Sequence, residues 1–179
     1  MEVETVTREK VIGWIKDWAK KNGNLAHIEK VQGLNGGWEK WAQVELALYI
    51  NSDDVPGVLA IREQPVYKDN SWHVDLLINP NDTALDQTIL LELKCLNRYL
   101  NVPKPDDLLT KIWADVERNS QRKTEWANSP LLAVALGHGK AMWDVAKSKF
   151  MENPLVSPGK TTLLVIDEAT EFWGITYSP

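Results

Sequence analysis

One cysteine, Cys95, stands in a chain of 179 residues. An internal disulfide and a thiolate zinc site are both excluded, so this thiol, flanked by leucines, is expected to pack in the core. Long apolar runs are missing too. No stretch approaches the roughly 20 residues that a membrane span requires, and the opening "MEVETVTREK" has no apolar run after a basic segment. The expectation is a soluble, cytoplasmic protein with no membrane partner. A surplus of positive charge is also lacking: the net charge is −5 and the pI about 5.3, so the molecule as a whole is not drawn to a polyanion. Repeats, low-complexity tracts and linkers are absent, and 44% of the residues are hydrophobic. Those features fit one globular domain over 1–179 and exclude disorder.

The charge that is present is uneven. Between residues 94 and 123, Lys94, Arg98, Lys104, Lys111, Arg118, Arg122 and Lys123 outnumber Asp106, Asp107, Asp115 and Glu117. A modest basic region of this kind suits a phosphate-bearing ligand, and a solvated helix face has the same composition.

Periodicity predicts the elements. "TREKVIGWIKDWAKKNGN" carries Val11, Ile12, Trp14, Ile15 and Trp18 at helical spacing and stops at Asn22-Gly23. "GLNGG" breaks the chain, and "WEKWAQVELALYI", 38–50, is the next helix. "VLAIREQPVYK" and "WHVDLLIN" form a hairpin with Pro65 at a bulge or edge, and "TILLELKCL", 88–96, completes a three-strand meander. "KPDDLLTKIWADVERNSQ" is a helix with acids in its first turn. It is followed by the strand "PLLAVALGH", the short helix "GKAMWDVAKSKFM", and "TTLLVIDEATEFWGITY", a strand or a hairpin turning at 168–170. The fold class is α/β, a mixed central sheet flanked by helices. Residues 1–36 form an N-terminal helical addition and 141–179 a C-terminal helix plus strand or hairpin.

The odd feature is two ions inside a core strand. Glu92 and Lys94 lie two residues apart and so share a face among Leu90, Leu91 and Leu93. On the preceding strand Asp75 is equally embedded in apolar residues, and His73 shares its face. In a meander Asp75 and Glu92 meet across the ladder, where two facing carboxylates repel unless a cation lies between them. On the 38–50 helix, Trp38, Trp41, Ala42, Leu48 and Tyr49 form one face with Glu45 at its middle. Glu39, Lys40 and Gln43 fall on the opposite side, which reads as solvated. Glu45 is therefore expected to point inward and to need a partner.

An acid on the helix before the sheet, then "VDLLI", then "LLELKC", resembles the PD-(D/E)XK nuclease superfamily over about residues 37–140. Val74 stands where that pattern has its nominal Pro. The resemblance implies a restriction-endonuclease-like core of helix, three-strand meander, helix and strand. It also implies a metal-dependent nuclease acting on DNA ahead of RNA. Asp75, Glu92, Lys94 and Glu45 would be catalytic. Asp75, Glu92, Glu45 and the Leu93 main-chain carbonyl would hold Mg²⁺ or Mn²⁺, whose preference for hard oxygen donors suits such residues. Lys94 would orient or help deprotonate the attacking water and stabilise the transition state. Lys111, on the helix after the motif, is the auxiliary candidate, with Arg98 and His73 as phosphate-contacting candidates. So small a chain leaves specificity to a homodimer or a protein partner.

Plainer readings compete. Glu92 and Lys94 alone would be an ion pair at a sheet edge. All four residues together would be a salt-bridge cluster in an inactive nuclease-fold protein that binds protein or nucleic acid, and a coincidental motif would leave Glu45 and Asp75 far apart. "SPGKTTLLVIDEA" resembles a phosphate loop, but Pro154 stands where a Gly is needed and a strand, not a helix, follows Lys160. Of the nine tryptophans, Trp14, Trp18, Trp38, Trp41 and Trp113 have core spacing. Trp72 and Trp126, beside turns, are left as candidate ligand contacts.

Overall fold

A computed structural model describes residues 5–32, 38–79, 88–96, 105–139, 144, 147–148, 161–167 and 172–177. Helix α1 (Arg8–Lys20) starts at Thr7, whose hydroxyl accepts from the Lys10 N–H, and buries Val11, Ile15, Trp18 and Ala19. It does not end the helical region. Gly23, at φ 76°, admits a second helix, α2 (Asn24–Val31), anchored by Ile28. Sequence reading took Asn22-Gly23 as a stop and passed over Leu25, Ile28 and Val31, spaced three apart.

Helix α3 (Glu39–Ile50) precedes β1 (Ala60–Gln64), β2 (Val74–Ile78) and β3 (Ile89–Cys95). Then come α4 (Pro105–Arg118), β4 (Leu131–His138), β5 (Thr161–Asp167) and β6 (Phe172–Tyr177). The six strands form one sheet in the order β1-β2-β3-β4-β6-β5. Only β3 and β4 pair in parallel, joined through α4, so the sheet is mixed as expected. The predicted meander is β1–β3, and the last segment is a hairpin rather than a single strand. In β1, Glu63 has φ 53° and drops out of the register between Arg62 and Gln64, just before Pro65. The register is the same on either side of it, so there is no bulge, and Pro65 follows the end of an edge strand, the other position expected for it. Most of the helix expected from "GKAMWDVAKSKFM" lies outside the described residues.

Two apolar clusters sandwich the sheet. On one face Leu76, Ile78, Leu91, Leu93, Leu132 and Val134 pack against α1, α2 and α3, and Cys95 packs at the edge of this cluster. On the other, Leu77, Leu90 and Leu131 meet Val66, Tyr67 and Trp126, and α4 packs against β3 and β4. The Trp38 indole N–H donates to the Leu96 carbonyl at 2.8 Å, tying the start of α3 to the end of β3. No helix among the described residues is long and apolar enough to cross a membrane.

Helix α3 is rotated from its predicted orientation. Its apolar residues run nearly all the way round, so periodicity alone sets its facing poorly. Ala42, Gln43, Leu46 and Ile50 are buried against the sheet while Leu48 is 62% exposed. Leu46→Ala should therefore cost about 2–5 kcal/mol of stability and Leu48→Ala less than about 0.5, measured by urea unfolding. Equal losses would mean that α3 faces the sheet the other way.

Candidate active site

The β2–β3 register pairs Leu76 with Leu91 and Ile78 with Ile89, so Asp75 and Glu92 are the next residues along the two strands. Backbone pairing ends there. Asp75 Oδ2 instead accepts the Leu93 N–H at 2.7 Å, so a side-chain carboxylate takes the place of a β2 carbonyl. Its Oδ1 accepts from Gln43 Nε2 at 2.7 Å, and Gln43 Oε1 accepts from Arg62 at 3.3 Å. Gln43, assigned by the sequence to a solvated face, is fully buried. It is the residue that fixes Asp75.

Lys94 sits at the centre. Its Nζ lies 3.0 Å from Asp115 Oδ2, 3.5 Å from Glu39 Oε1 and 3.8 Å from Asp75 Oδ2, and donates to the Leu93 carbonyl at 3.3 Å. Glu39 also accepts the Cys95 N–H through Oε2 at 3.3 Å. Glu92, on the same strand face, accepts the Tyr67 hydroxyl at 2.5 Å. Tyr67 is held for this contact by its loop, since Lys68 N–H donates to Gln121 and Lys123 N–H to Val66. Asp115 accepts from Arg118 at 2.6 Å, and the Arg118 guanidinium lies 5.5 Å above the exposed Trp72 ring. Trp72 meets Tyr67 edge to face at 6.4 Å.

Four carboxylates, from Glu39, Asp75, Glu92 and Asp115, thus face the charges of Lys94 and Arg118. Burial is the chief reason that the Asp75 carboxyl is pushed up to about 6, with Lys94 and the Leu93 N–H opposing it. Glu92 is also pushed well above the usual carboxylate range, by burial and then by Asp75 and Asp115. Burial works against a charge on Lys94, yet Asp75, Asp115 and Glu39 outweigh it and hold its proton more tightly than usual. The Tyr67 hydroxyl is likewise held protonated by burial and by Glu92.

Three of the expected residues therefore come together: Asp75, Glu92 and Lys94, with the Leu93 carbonyl beside them. Glu45 does not join them. It lines a separate cavity with Trp18 and Trp41, and the helix acid at Lys94 is Glu39, one of the residues expected to be solvated. The reason is the rotation of α3: Glu39, Gln43, Leu46 and Ile50 follow one another at helical spacing along the sheet-facing stripe. Lys111 is exposed on α4, and His73 is exposed just before β2. Arg98 lies outside the described residues. Asp115 was missed as a site residue, although it falls three residues after Ile112, on the apolar stripe of α4. Tyr67 had no signal, because its contact depends on a loop.

A carboxyl pushed up in the fold binds protons that the unfolded chain has already released. The Asp75 contribution to stability should therefore fall as pH rises from about 4 to about 6, then stay level. Urea unfolding between these limits and pH 7.5, in chelator, should show Asp75→Asn gaining on the wild type by on the order of 2–3 kcal/mol. A difference that is flat with pH, or opposite in sign, would remove Asp75 from the buried acidic cluster. Compared with known proteins, the chain matches no family model, no curated protein and no solved structure. The functional reading rests on the geometry of this cluster.

Proposed function

We propose that the chain is a metal-dependent nuclease, hydrolysing phosphodiester bonds in DNA ahead of RNA on a restriction-endonuclease-like core. The observation that carries the reading is the excess of buried carboxylate around Lys94, where β2 and β3 stop pairing. Such an excess is relieved by protonation, the direction in which Asp75 and Glu92 are pushed, or by a bound cation, and the proposal takes the second.

The donor chemistry fits Mg²⁺ or Mn²⁺: every available ligand is an oxygen. Among the described residues, no group of three His, Cys, Asp or Glu side chains is spaced to hold a metal ion by itself. Asp75, Glu92 and the Leu93 carbonyl would hold the ion, with water completing its shell, as small divalent ions prefer. When bound, the ion supplies charge neutralisation at the phosphate and activates a water.

The chain's own residues supply the rest. Lys94 keeps its proton, so it serves as a fixed positive charge for a phosphate oxygen and not as the base. Glu39 and Asp115 position its ammonium group, and Tyr67 and Gln43 position Glu92 and Asp75. Trp72, exposed beside Arg118, offers a base-stacking face next to a phosphate-binding guanidinium.

One observation favours a second reading. Both Asp75 oxygens, one Glu92 oxygen and the Lys94 ammonium already have partners within the chain. A cluster that satisfies itself suits a non-catalytic binding module on the same scaffold.

End-labelled single- and double-stranded DNA and RNA, incubated with the protein in Mg²⁺ or Mn²⁺, separate the two. Cleavage should vanish in chelator and fall at least about 100-fold in Lys94→Ala and in Glu92→Gln, each shown to be folded by its melting curve. Cleavage that survives in both variants, or no cleavage of any substrate, sinks the nuclease reading, and retention without cleavage supports the binding module. Trp72→Ala should weaken substrate binding by about 1–3 kcal/mol with little change in kcat. An unchanged KM would place the substrate elsewhere.

A further inference from the structure

On α3, the side turned away from the Lys94 cluster borders a cavity of about 500 Å³ against α1 and α2. Trp18, Trp41 and Tyr49 line it, with the two indoles 5.9 Å apart and tilted. Glu45 is half-buried in this wall, and its carboxylate has no hydrogen-bond or ion-pair partner among the described residues. Its negative charge is therefore uncompensated within the chain and available to a ligand in the cavity.

The other polar groups of the cavity are largely committed. Lys21 pairs with Asp54, Asn24 donates to the Trp18 carbonyl at 2.7 Å, and the Ser52 hydroxyl donates to the Tyr49 carbonyl at 2.7 Å. Once Lys21 and Asp54 cancel, the titratable groups left in the lining, besides the Tyr49 hydroxyl, are the Glu45 carboxylate and the His27 ring. Lys21 Nζ also lies 5.5 Å from the Tyr49 ring centroid, so this aromatic wall already accepts a cation on one face. Aromatic rings lining one cavity with an unpaired carboxylate suit a bulky, weakly hydrated cation. They repel anions and give a neutral apolar group no use for Glu45.

We propose that this cavity is a binding site for an alkylammonium group, held by Glu45 and the Trp41 and Tyr49 rings. It is independent of the Lys94 cluster, so it stands whether or not the chain cleaves nucleic acid. Two sources present this chemistry, a free amine such as choline and a methylated lysine side chain of a partner protein.

The test follows the Trp41 indole N–H by NMR in the full chain, assigned through Trp41→Phe. The titrants are choline, free trimethyl-lysine, trimethyl-lysine within a short peptide, and the uncharged choline isostere in which carbon replaces nitrogen. Saturable shifts are expected for the ammonium compounds, with dissociation constants on the order of millimolar, and none for the isostere. Glu45→Gln, nearly isosteric, should weaken binding at least tenfold while leaving the melting curve and any nuclease activity unchanged. If that variant melts early, Tyr49→Leu serves as the second, with the same expected loss. A peptide that binds more tightly than free trimethyl-lysine identifies a protein partner, and equal affinities identify a free amine. The proposal is overturned if no titrant saturates, if the isostere binds as well as choline, or if neither variant weakens binding.

Discussion

The ammonium of Lys94 is the point on which the centre of this protein depends. It stands within 4 Å of carboxylates from α3, β2 and α4, so one charge joins three elements that share no backbone hydrogen bonds. Removed from water, each of those carboxylates would carry a desolvation cost of several kcal/mol without a partner. Their common partner makes the arrangement self-consistent.

That constraint shapes the backbone around it. The β2–β3 ladder gives way where Asp75 takes the Leu93 N–H, because the carboxylate satisfies a donor that a β2 carbonyl would otherwise meet. The resulting notch is roofed on one side by Gln43 and Glu39 of α3 and on the other by Asp115 of α4. Tyr67, brought in by a loop stitched to residues 121–123, closes over Glu92. Asp75, Glu92 and Lys94 sit on β2 and β3 while their supports come from helices and a loop. This division supports the cluster from both sides of the sheet, with Trp72 exposed at its edge.

Helix α3 serves two neighbourhoods. Its stripe of Glu39, Gln43, Leu46 and Ile50 faces the sheet, polar where it covers the Lys94 cluster and apolar where it covers the core. Its Trp41, Glu45 and Tyr49 stripe faces α1 and α2 across the cavity. A helix apolar on both sides can settle either way by its own composition, and the choice falls to what it meets. The Trp38 indole bond to Leu96 and the Gln43 bond to Asp75 are directional and tie it to one rotation.

By itself the sequence determined the elements whose periodicity was clean: α1, the β1–β3 meander, α4 and β4. It also determined the anomaly of Asp75, Glu92 and Lys94, since charged residues inside apolar strands are costly wherever the strands go. Alternation allowed Asp75 and Glu92 to meet across a meander, and the register that sets them side by side came from the folded sheet. Only the tertiary structure decided which helix acid reached the lysine. Glu39 and Glu45 lie on opposite sides of a helix with two apolar faces, and the rotation was selected by long-range contacts to β2 and β3. The parts played by Asp115, Tyr67 and Gln43 were equally illegible. Each depends on a partner 20 or more residues away, and local pattern carries no record of such a distance.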